Sequence, residues 1–254
     1  MKITFLGTGT SHGVPMIACD CAVCGSTDPR DARLRPSIYV QMDDGTSILV
    51  DAGPDLRQQA LTYQIRRVDA ILFTHGHADH ILGIDETRRL SAILGGPMPC
   101  YGDALTIRDI RRMFAYAFDE GTPSGGGLPQ LNLTVIDGSV LLNGHEIQPV
   151  PLFHGSREIL GFRFGAFAYL TDCNRIPDQS WPLLHNLQVV VLDALRERPH
   201  PTHFSLSEAV EAARRIAARQ TFFTHMTHDL GHEATNARLP EHMALAYDGL
   251  ELVL

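Results

Sequence analysis

The sequence predicts one α/β domain, because it combines three features. Short apolar, β-branched runs end at glycine or acidic turns along most of the chain, which is typical of strands. Helical periodicity occurs between these runs in both halves of the chain. The 254 residues are enough to bury one full core, and no internal repeat or low-complexity linker divides them.

Nine segments have the composition of strands, and several of them are apolar at successive positions. Such continuous runs are typical of strands that are buried on both faces of a sheet. The predicted strands cover residues 3–6, 38–42, 47–50, 70–73, 133–136, 167–170, 189–192, 221–223 and 250–254.

Three segments favour helices. The clearest begins after Ser205, where apolar residues recur at i, i+3 and i+4 spacing and where Ser205 and Glu208 form a capping box. Weaker helical patterns cover residues 84–94 and 104–118. Residues 119–130 contain three consecutive glycines and two prolines, so we expect a flexible loop there, either a lid or a sheet-edge loop.

Charge and composition limit the classes of partner. The net charge of −8 disfavours a broad electrostatic grip on phosphates, so we expect no large nucleic acid as a partner. The longest apolar stretches, such as 189–192, are far too short to span a bilayer, so we expect no membrane contact. The first residues lack the apolar core of a signal peptide, which predicts a cytoplasmic location. The sequence leaves a homodimer open.

The most informative motif runs from Phe73 to His80 and reads Phe-Thr-His-Gly-His-Ala-Asp-His. Side chains at i and i+2 of an extended segment point the same way, so His75 and His77 can grip one ion together. A turn after His77 would let Asp79 and His80 face a second ion. The small residues between these side chains allow a metal ion to approach the backbone.

Three further candidates lie at a distance in sequence, in segments that read as loops after strands: His154, Asp172 and His225. Imidazoles and carboxylates suit Zn, Mn or Fe, and a shared carboxylate is a common bridge between two metal ions. A single histidine is weak evidence for a metal site. The complete set of seven residues predicts a metal centre.

This His-x-His-x-Asp-His run is the signature of the metallo-β-lactamase superfamily, which the chain resembles over nearly its whole length. The resemblance implies the four-layer αββα sandwich, with the site at one edge between two sheets. It also implies two divalent ions, Zn or Mn, one held by His75, His77 and His154, the other by Asp79, His80 and His225, with Asp172 bridging them. Asp51 resembles the aspartate that orients a ligand histidine in this superfamily.

The opening of the chain is a second informative region. Leu6-Gly7-Thr8-Gly9-Thr10 is followed by Cys19-x-Cys21-x-x-Cys24, and three crowded cysteines in a cytosolic protein favour metal over disulfides. Both features resemble PhnP-like phosphodiesterases, and the opening is also similar to that of tRNase Z enzymes. The PhnP resemblance implies a structural zinc in the loop at about 16–30, with His228 as its fourth ligand. We also expect the glycine-rich turn to leave N–H groups free for a phosphate.

The remaining candidate is His203, which comes just before the capped helix that begins after Ser205. In PhnP-like phosphodiesterases the matching histidine faces the phosphate and can protonate the leaving oxygen. Asp79 and His203 are therefore the residues expected to act in catalysis. Asp193 is a candidate for orienting a site residue. His12 and His232 lie in suggestive positions without an assignable role.

These resemblances predict an enzyme that hydrolyses a small or cyclic phosphodiester by attack of a metal-bridging hydroxide. Two alternatives use the same ligands: a tRNA 3′-processing ribonuclease, and a thioester or lactone hydrolase. The loop at 119–130 is short and lacks Lys and Arg, unlike the long arm of tRNase Z enzymes. The cofactor-biosynthesis protein PqqB shares the opening and the cysteines but lacks the full histidine run, so the complete run favours catalysis.

Overall fold

The computed structural model describes residues 1–123, 125 and 127–254, and its framework is a pair of seven-stranded sheets. The first sheet comprises β1 (Lys2–Gly7), β2 (Ser37–Gln41), β3 (Ser47–Val50), β4 (Ala70–Leu72), β5 (Met98–Gly102), β6 (Leu131–Val135) and β14 (Glu251–Val253). The second comprises β7 (Val140–Leu142), β8 (His145–His154), β9 (Arg157–Phe164), β10 (Phe167–Leu170), β11 (Val189–Asp193), β12 (Gln220–Thr224) and β13 (Met243–Leu245).

Both sheets are mixed, with one antiparallel half and one parallel half. In the first sheet the strands are in the order β14-β1-β2-β3-β4-β5-β6, and β3 to β6 run parallel. In the second sheet the order is β13-β12-β11-β10-β9-β8-β7, and β10 to β13 run parallel. The parallel strands of each sheet therefore end at one common edge, where ligand sites of such sheets usually lie.

Helices cover the outer face of each sheet. The α-helices are α1 (Leu56–Thr62), α2 (Ala78–Ile81), α3 (Thr87–Leu94), α4 (Ala104–Met113), α5 (Leu206–Ile216) and α6 (His232–Asn236), with 3₁₀ turns at Pro29–Asp31, Ile84–Glu86, Ala115–Ala117 and Asp178–Leu184. Residues of α1, α3 and α4 pack on the first sheet, and α5 with the last 3₁₀ turn packs on the second. The layers are thus α, β, β and α, which confirms the predicted sandwich.

The alternation of side chains along the strands explains this packing. In β3, Ile48 and Val50 belong to the core between the two sheets, whereas Leu49 belongs to the core under the helices. All three side chains are fully buried. Because successive side chains of a strand point to opposite faces, a strand covered on both faces is apolar at every position.

The predicted helices are confirmed in position, with changes at their ends. Ser205 caps α5, and its capping box with Glu208 is present. The segment predicted at 84–94 divides into a 3₁₀ turn and α3, which stops at the left-handed Gly95. The segment predicted at 104–118 is a helix only to Met113, because the backbone at Phe114 leaves helical geometry before a further 3₁₀ turn.

The hairpin of β8 and β9 was not predicted, because β8 contains Pro149 and Pro151 and proline rarely occurs inside a sheet. In the structure β8 pairs with β9 along its whole length but with β7 only over His145–Ile147. Both prolines therefore lie where β8 has left β7, at a free edge that needs no N–H donor.

Two further expectations concern loops and membranes. The loop expected at 119–130 includes Ser124 and Gly126, which lie outside the described residues, and β6 follows it at Leu131. Among the described helices, none combines the length and apolar character needed to cross a membrane.

Candidate active site

The predicted site residues come from the strand ends of both sheets. Asp51 directly follows β3, and the run from His75 to His80 lies between β4 and the end of α2. His154 ends β8, Asp172 lies two residues after β10, and His225 directly follows β12. The two sheets therefore bring together residues that are up to 174 positions apart in the sequence, Asp51 and His225.

Three of these residues have left-handed backbones: Asp51 (φ 64°), Asp172 (φ 57°) and His225 (φ 63°). Asp and His tolerate this region better than most residues, and such conformations cluster at functional sites. Each of them changes the direction of the chain just after a strand.

The first group of metal-binding side chains contains His75, His77 and His154, whose candidate ligand atoms all lie within 4.8 Å of one another. The ring centroids are 4.5 Å apart for His75 and His77, and 5.0 Å apart for His77 and His154. Nδ1 of His154 lies 2.8 Å from the backbone carbonyl of Asp172. A hydrogen bond from Nδ1–H to that carbonyl leaves Nε2 of His154 free to bind a metal ion.

The second group contains Asp79, His80, Asp172 and His225, again with candidate ligand atoms within 4.8 Å. Asp172 is central: its Oδ1 lies 3.1 Å from His225 Nε2, and its Oδ2 lies 3.3 Å from His80 Nε2 and 3.7 Å from His75 Nε2. Because Asp172 reaches residues of both groups, it has the position of a bridging carboxylate.

Asp51 supports the second group from behind. Its Oδ2 accepts a hydrogen bond from His80 Nδ1 at 2.7 Å, and its two oxygens accept from the backbone N–H and hydroxyl of Thr74, each at 2.8 Å. The carboxyl is completely buried, and burial raises its pKa, while His80 and Thr74 oppose this effect. This geometry fixes the His80 ring with Nε2 facing Asp79 and Asp172.

The charges of the cluster suit a cation. Burial tends to raise the pKa of Asp172, but the neighbouring His225 and His80 outweigh it and hold that pKa well below its usual value. The pKa of Asp79 is lowered for the same reason. Burial holds the pKa of His75 well below its usual value, so its ring is neutral. Burial would lower the pKa of His80, but Asp172, Asp79 and Asp51 outweigh it and hold that pKa well above its usual value, so a metal ion at Nε2 would replace a proton there. Ionised carboxylates and imidazoles that give up a proton on binding are donors that zinc and similar ions take.

Two buried nitrogens test whether this cluster fits a metal. His75 Nε2 and His80 Nε2 are buried, and neither has a hydrogen-bond partner among the described residues. A buried polar atom without a partner destabilises a fold by about 1–3 kcal/mol, so such atoms usually have a partner. Both nitrogens face Asp172. One divalent ion in each metal-binding group would give both nitrogens a partner, so the residues present fit the predicted metals.

His203 lies beside both groups. Its ring is 4.7 Å from that of His154 and 4.9 Å from that of His225, centroid to centroid. Its Nδ1 lies 3.4 Å from Asp193 Oδ1, and Asp193 Oδ2 accepts a hydrogen bond from the backbone N–H of Phe204 at 2.9 Å. Asp193 thus orients His203 and leaves its Nε2 available to a substrate. Burial lowers the pKa of His203.

The cysteines form a separate cluster with His228. The Sγ atoms of Cys19, Cys21 and Cys24 lie 3.1, 3.4 and 3.4 Å from His228 Nδ1. Tetrahedral zinc with Zn–S of about 2.3 Å and Zn–N of about 2.0–2.1 Å would separate sulfur from nitrogen by about 3.5 Å. A backbone N–H of Cys24 lowers the pKa of the Cys21 thiol to about 6, which favours the thiolate that binds metal, whereas burial raises the pKa of the Cys24 thiol to about 11.

Arg33 is a site residue that the sequence did not reveal. Its side chain is fully buried, and it donates to the carbonyls of Thr227 at 2.8 Å and Leu230 at 2.5 Å, on either side of His228. Asp31 lies 3.3 Å from the same guanidinium. No motif marks such a contact, because its partners lie about two hundred residues apart.

One expectation about the opening is wrong. The N–H groups of Gly9 and Thr10 are not left for a phosphate, because Gly9 N–H donates to the carbonyl of Leu34 and Thr10 N–H to that of Met226. Position 9 has no room for a side chain, because a Cβ there would lie 2.8 Å from the carbonyl oxygen of Arg33. His12 lies on the surface beside the cluster, and buried His232 packs against Tyr247 outside both metal-binding groups.

Comparison with known proteins identifies the family. Residues 46–226 match the model of the β-lactamase superfamily domain. The crystal structure of a new diphosphatase from the PhnP family is 47% identical, with a TM-score of 0.93, and the match covers 100% of this chain and 97% of that one. Zinc-bound PqqB from Methylobacterium extorquens is 18% identical, with a TM-score of 0.80 and full coverage of both chains, which shows a shared fold alone.

One curated relative is longer. The octanoyltransferase of Porphyromonas gingivalis is 33% identical over 256 residues, which span 100% of this chain but 52% of that protein. The chain thus spans about half the length of this relative. The family model covers most of the chain, and the PhnP-family structure matches it from end to end. The chain therefore belongs to the metallo-β-lactamase superfamily and, within it, to the PhnP family of hydrolases.

Proposed function

We propose that this hydrolase is a phosphodiesterase that acts on a small or cyclic phosphodiester with two divalent ions in the histidine and aspartate cluster. The observation that carries the proposal is the sharing of Asp172 between two metal-binding groups, with the His203 imidazole beside both. His75, His77 and His154 would hold one ion, and Asp79, His80 and His225 the other. Bound divalent ions would neutralise charge on phosphate oxygens and acidify a water molecule.

The protein's own residues supply the remaining chemistry. Asp51 and the Asp172 carbonyl hold His80 and His154 in the tautomers that leave Nε2 free. Asp193 holds Nδ1 of His203, so a proton on Nε2 of the imidazolium can be donated to a departing alkoxide. A leaving group that needs protonation is typical of alkyl and ribosyl phosphodiesters. The PhnP-family relative, described as a diphosphatase, also cleaves at phosphorus.

Other superfamily reactions are less well supported. Residues 119–130 contain no Lys or Arg, and the net charge is −8, so the chain lacks an electropositive arm for a large RNA. The octanoyltransferase is about twice as long as this chain. Its name therefore does not say whether the half that matches this chain transfers an acyl group. We propose a structural zinc at Cys19, Cys21, Cys24 and His228 in addition to the two catalytic ions.

A substrate panel on metal-reconstituted protein tests the proposal. We expect kcat/KM for bis(p-nitrophenyl) phosphate to exceed that for p-nitrophenyl phosphate, an acyl thioester and a β-lactam by at least about tenfold, equivalent to about 1.4 kcal/mol of transition-state stabilisation. Asp172→Asn, prepared in parallel, should lose this activity and thereby exclude a contaminating phosphatase. Preferential thioester cleavage would replace the proposal with the acyl-hydrolase alternative.

A further inference from the structure

A cavity of about 540 Å³ adjoins the candidate metal cluster, and its walls differ from the cluster in character. Met16, Ile17, Pro54 and Ala78 line it with apolar surface, Ser11 and His12 add polar groups, and Asp79 of the second metal-binding group also lines it. Arg35 contributes a guanidinium to the wall. The cavity therefore joins an apolar surface to the position where we place the reacting phosphate.

Ile17 is the most unusual of these residues, since it is 93% exposed on the loop that precedes Cys19. A single exposed apolar residue is ordinary on a protein surface. Ile17, however, lies at a cavity that opens beside the catalytic cluster, and the cysteine cluster directly after it anchors its loop. An isoleucine held there can cover an apolar substituent of a substrate that enters the cavity.

Arg35 gives the cavity a second recognition element. Its Nε lies 3.0 Å from Asp55 Oδ2, and the backbone N–H of Arg35 donates to the same oxygen at 2.8 Å, so the side chain is fixed at its base. Neither Nη1 nor Nη2 donates to a protein acceptor within the part of the chain that the structure describes. A planar guanidinium held in this way can stack on an aromatic ring.

The cavity and His203 border the cluster at different residues. His203 contacts His154 and His225, and it does not line the cavity, whereas Asp79 and Ala78 do. If His203 protonates the leaving group, as the proposed function requires, the leaving group occupies the His203 side. The substituent that stays on the phosphorus then extends to the side of Asp79.

We infer that this cavity is a subsite for the retained substituent of the phosphodiester, and that it selects an aromatic or heteroaromatic ring, packed between Ile17 and the face of Arg35. The inference rests on the proposed phosphodiesterase activity and deepens it by naming a substrate class. Ile17 and Arg35 would then recognise the substituent that stays on the phosphorus.

Two diesters with one leaving group test the inference. Bis(p-nitrophenyl) phosphate retains an aryl group after reaction, and methyl p-nitrophenyl phosphate retains a methyl group. Ile17→Ser should lower kcat/KM for the first about five- to tenfold, the effect of losing apolar contact area of one side chain, and should leave the second nearly unchanged. Ile93→Ser, at a helix residue that is 47% exposed and lies outside the cavity, is the matched control and should affect neither.

The outcomes separate this inference from the proposed function. Equal losses on the two diesters, or no loss on either, would overturn the subsite. Equal losses together with a changed oligomeric state in light scattering would make Ile17 a contact between copies of the chain, which also overturns it. If the wild-type protein hydrolyses neither diester, the proposed function itself fails. Because Ile17 is almost fully exposed, Ile17→Ser should keep the wild-type melting temperature and zinc content, and both are measured.

Discussion

The role of His203 as a proton donor leads to the sharpest prediction. A general acid contributes about 10²–10⁴-fold when the leaving group is a basic alkoxide, and little when it is a stable phenolate. The His203 imidazole lies beside both metal-binding groups, and Asp193 holds its Nδ1 so that Nε2 can donate a proton. We therefore expect His203→Ala to lose about 10²–10⁴-fold on a ribosyl diester such as 2′,3′-cyclic AMP, or about 2.7–5.5 kcal/mol.

The assay compares kcat/KM for 2′,3′-cyclic AMP and bis(p-nitrophenyl) phosphate at equal metal content. Metal content must be measured, because His203 stacks on His225, which we propose as a ligand. His200→Ala is the matched control: its ring is 5.1 Å from that of His203, but it belongs to neither metal-binding group. It should lose little on either substrate. If His203→Ala loses equal activity on both diesters, His203 only binds the phosphate, and the reasoning about proton donation is refuted.

Three further predictions concern metals and stability. Elemental analysis should find two exchangeable metal ions and one tightly held zinc ion per chain. Asp172→Ala should lower the content of exchangeable metal while the zinc remains. A single metal ion per chain, in protein never exposed to chelator, would contradict this. Cys21→Ser should lose the zinc and lower the melting temperature by about 2–4 °C per kcal/mol lost, whereas unchanged zinc would refute the site. Burial raises the pKa of Asp248 to about 7, above its value in the unfolded chain, so its contribution to the free energy of unfolding should fall as pH rises from about 4 to 7. Denaturation of wild type and Asp248→Asn across this range should show that fall in wild type alone.

Local patterns in the sequence predicted helix starts, buried strands and one group of candidate metal ligands. The capping box at Ser205 and Glu208 formed as predicted, because a helix start depends on residues only three positions apart. Strands such as β3, which are covered by the other sheet on one face and by helices on the other, were also recognisable. Burial on both faces makes every position of such a strand apolar. The run from His75 to His80 was also recognisable, because four candidate metal ligands lie within six consecutive residues.

Tertiary structure decided what depends on distant partners. The β8 and β9 hairpin was missed because Pro149 argues against a strand until the sheet shows that its edge is free there. The glycine-rich opening looked like a phosphate loop, but its N–H groups are used by carbonyls of distant segments.

Similarly, Arg33 belongs to no motif, yet it is buried against the loop that carries His228. In the sequence it is one of 21 Lys and Arg residues. A sequence pattern records which groups are close along the chain and which faces are apolar. It does not record which buried donor meets which acceptor some two hundred residues away, because that pairing exists only once the two sheets have packed.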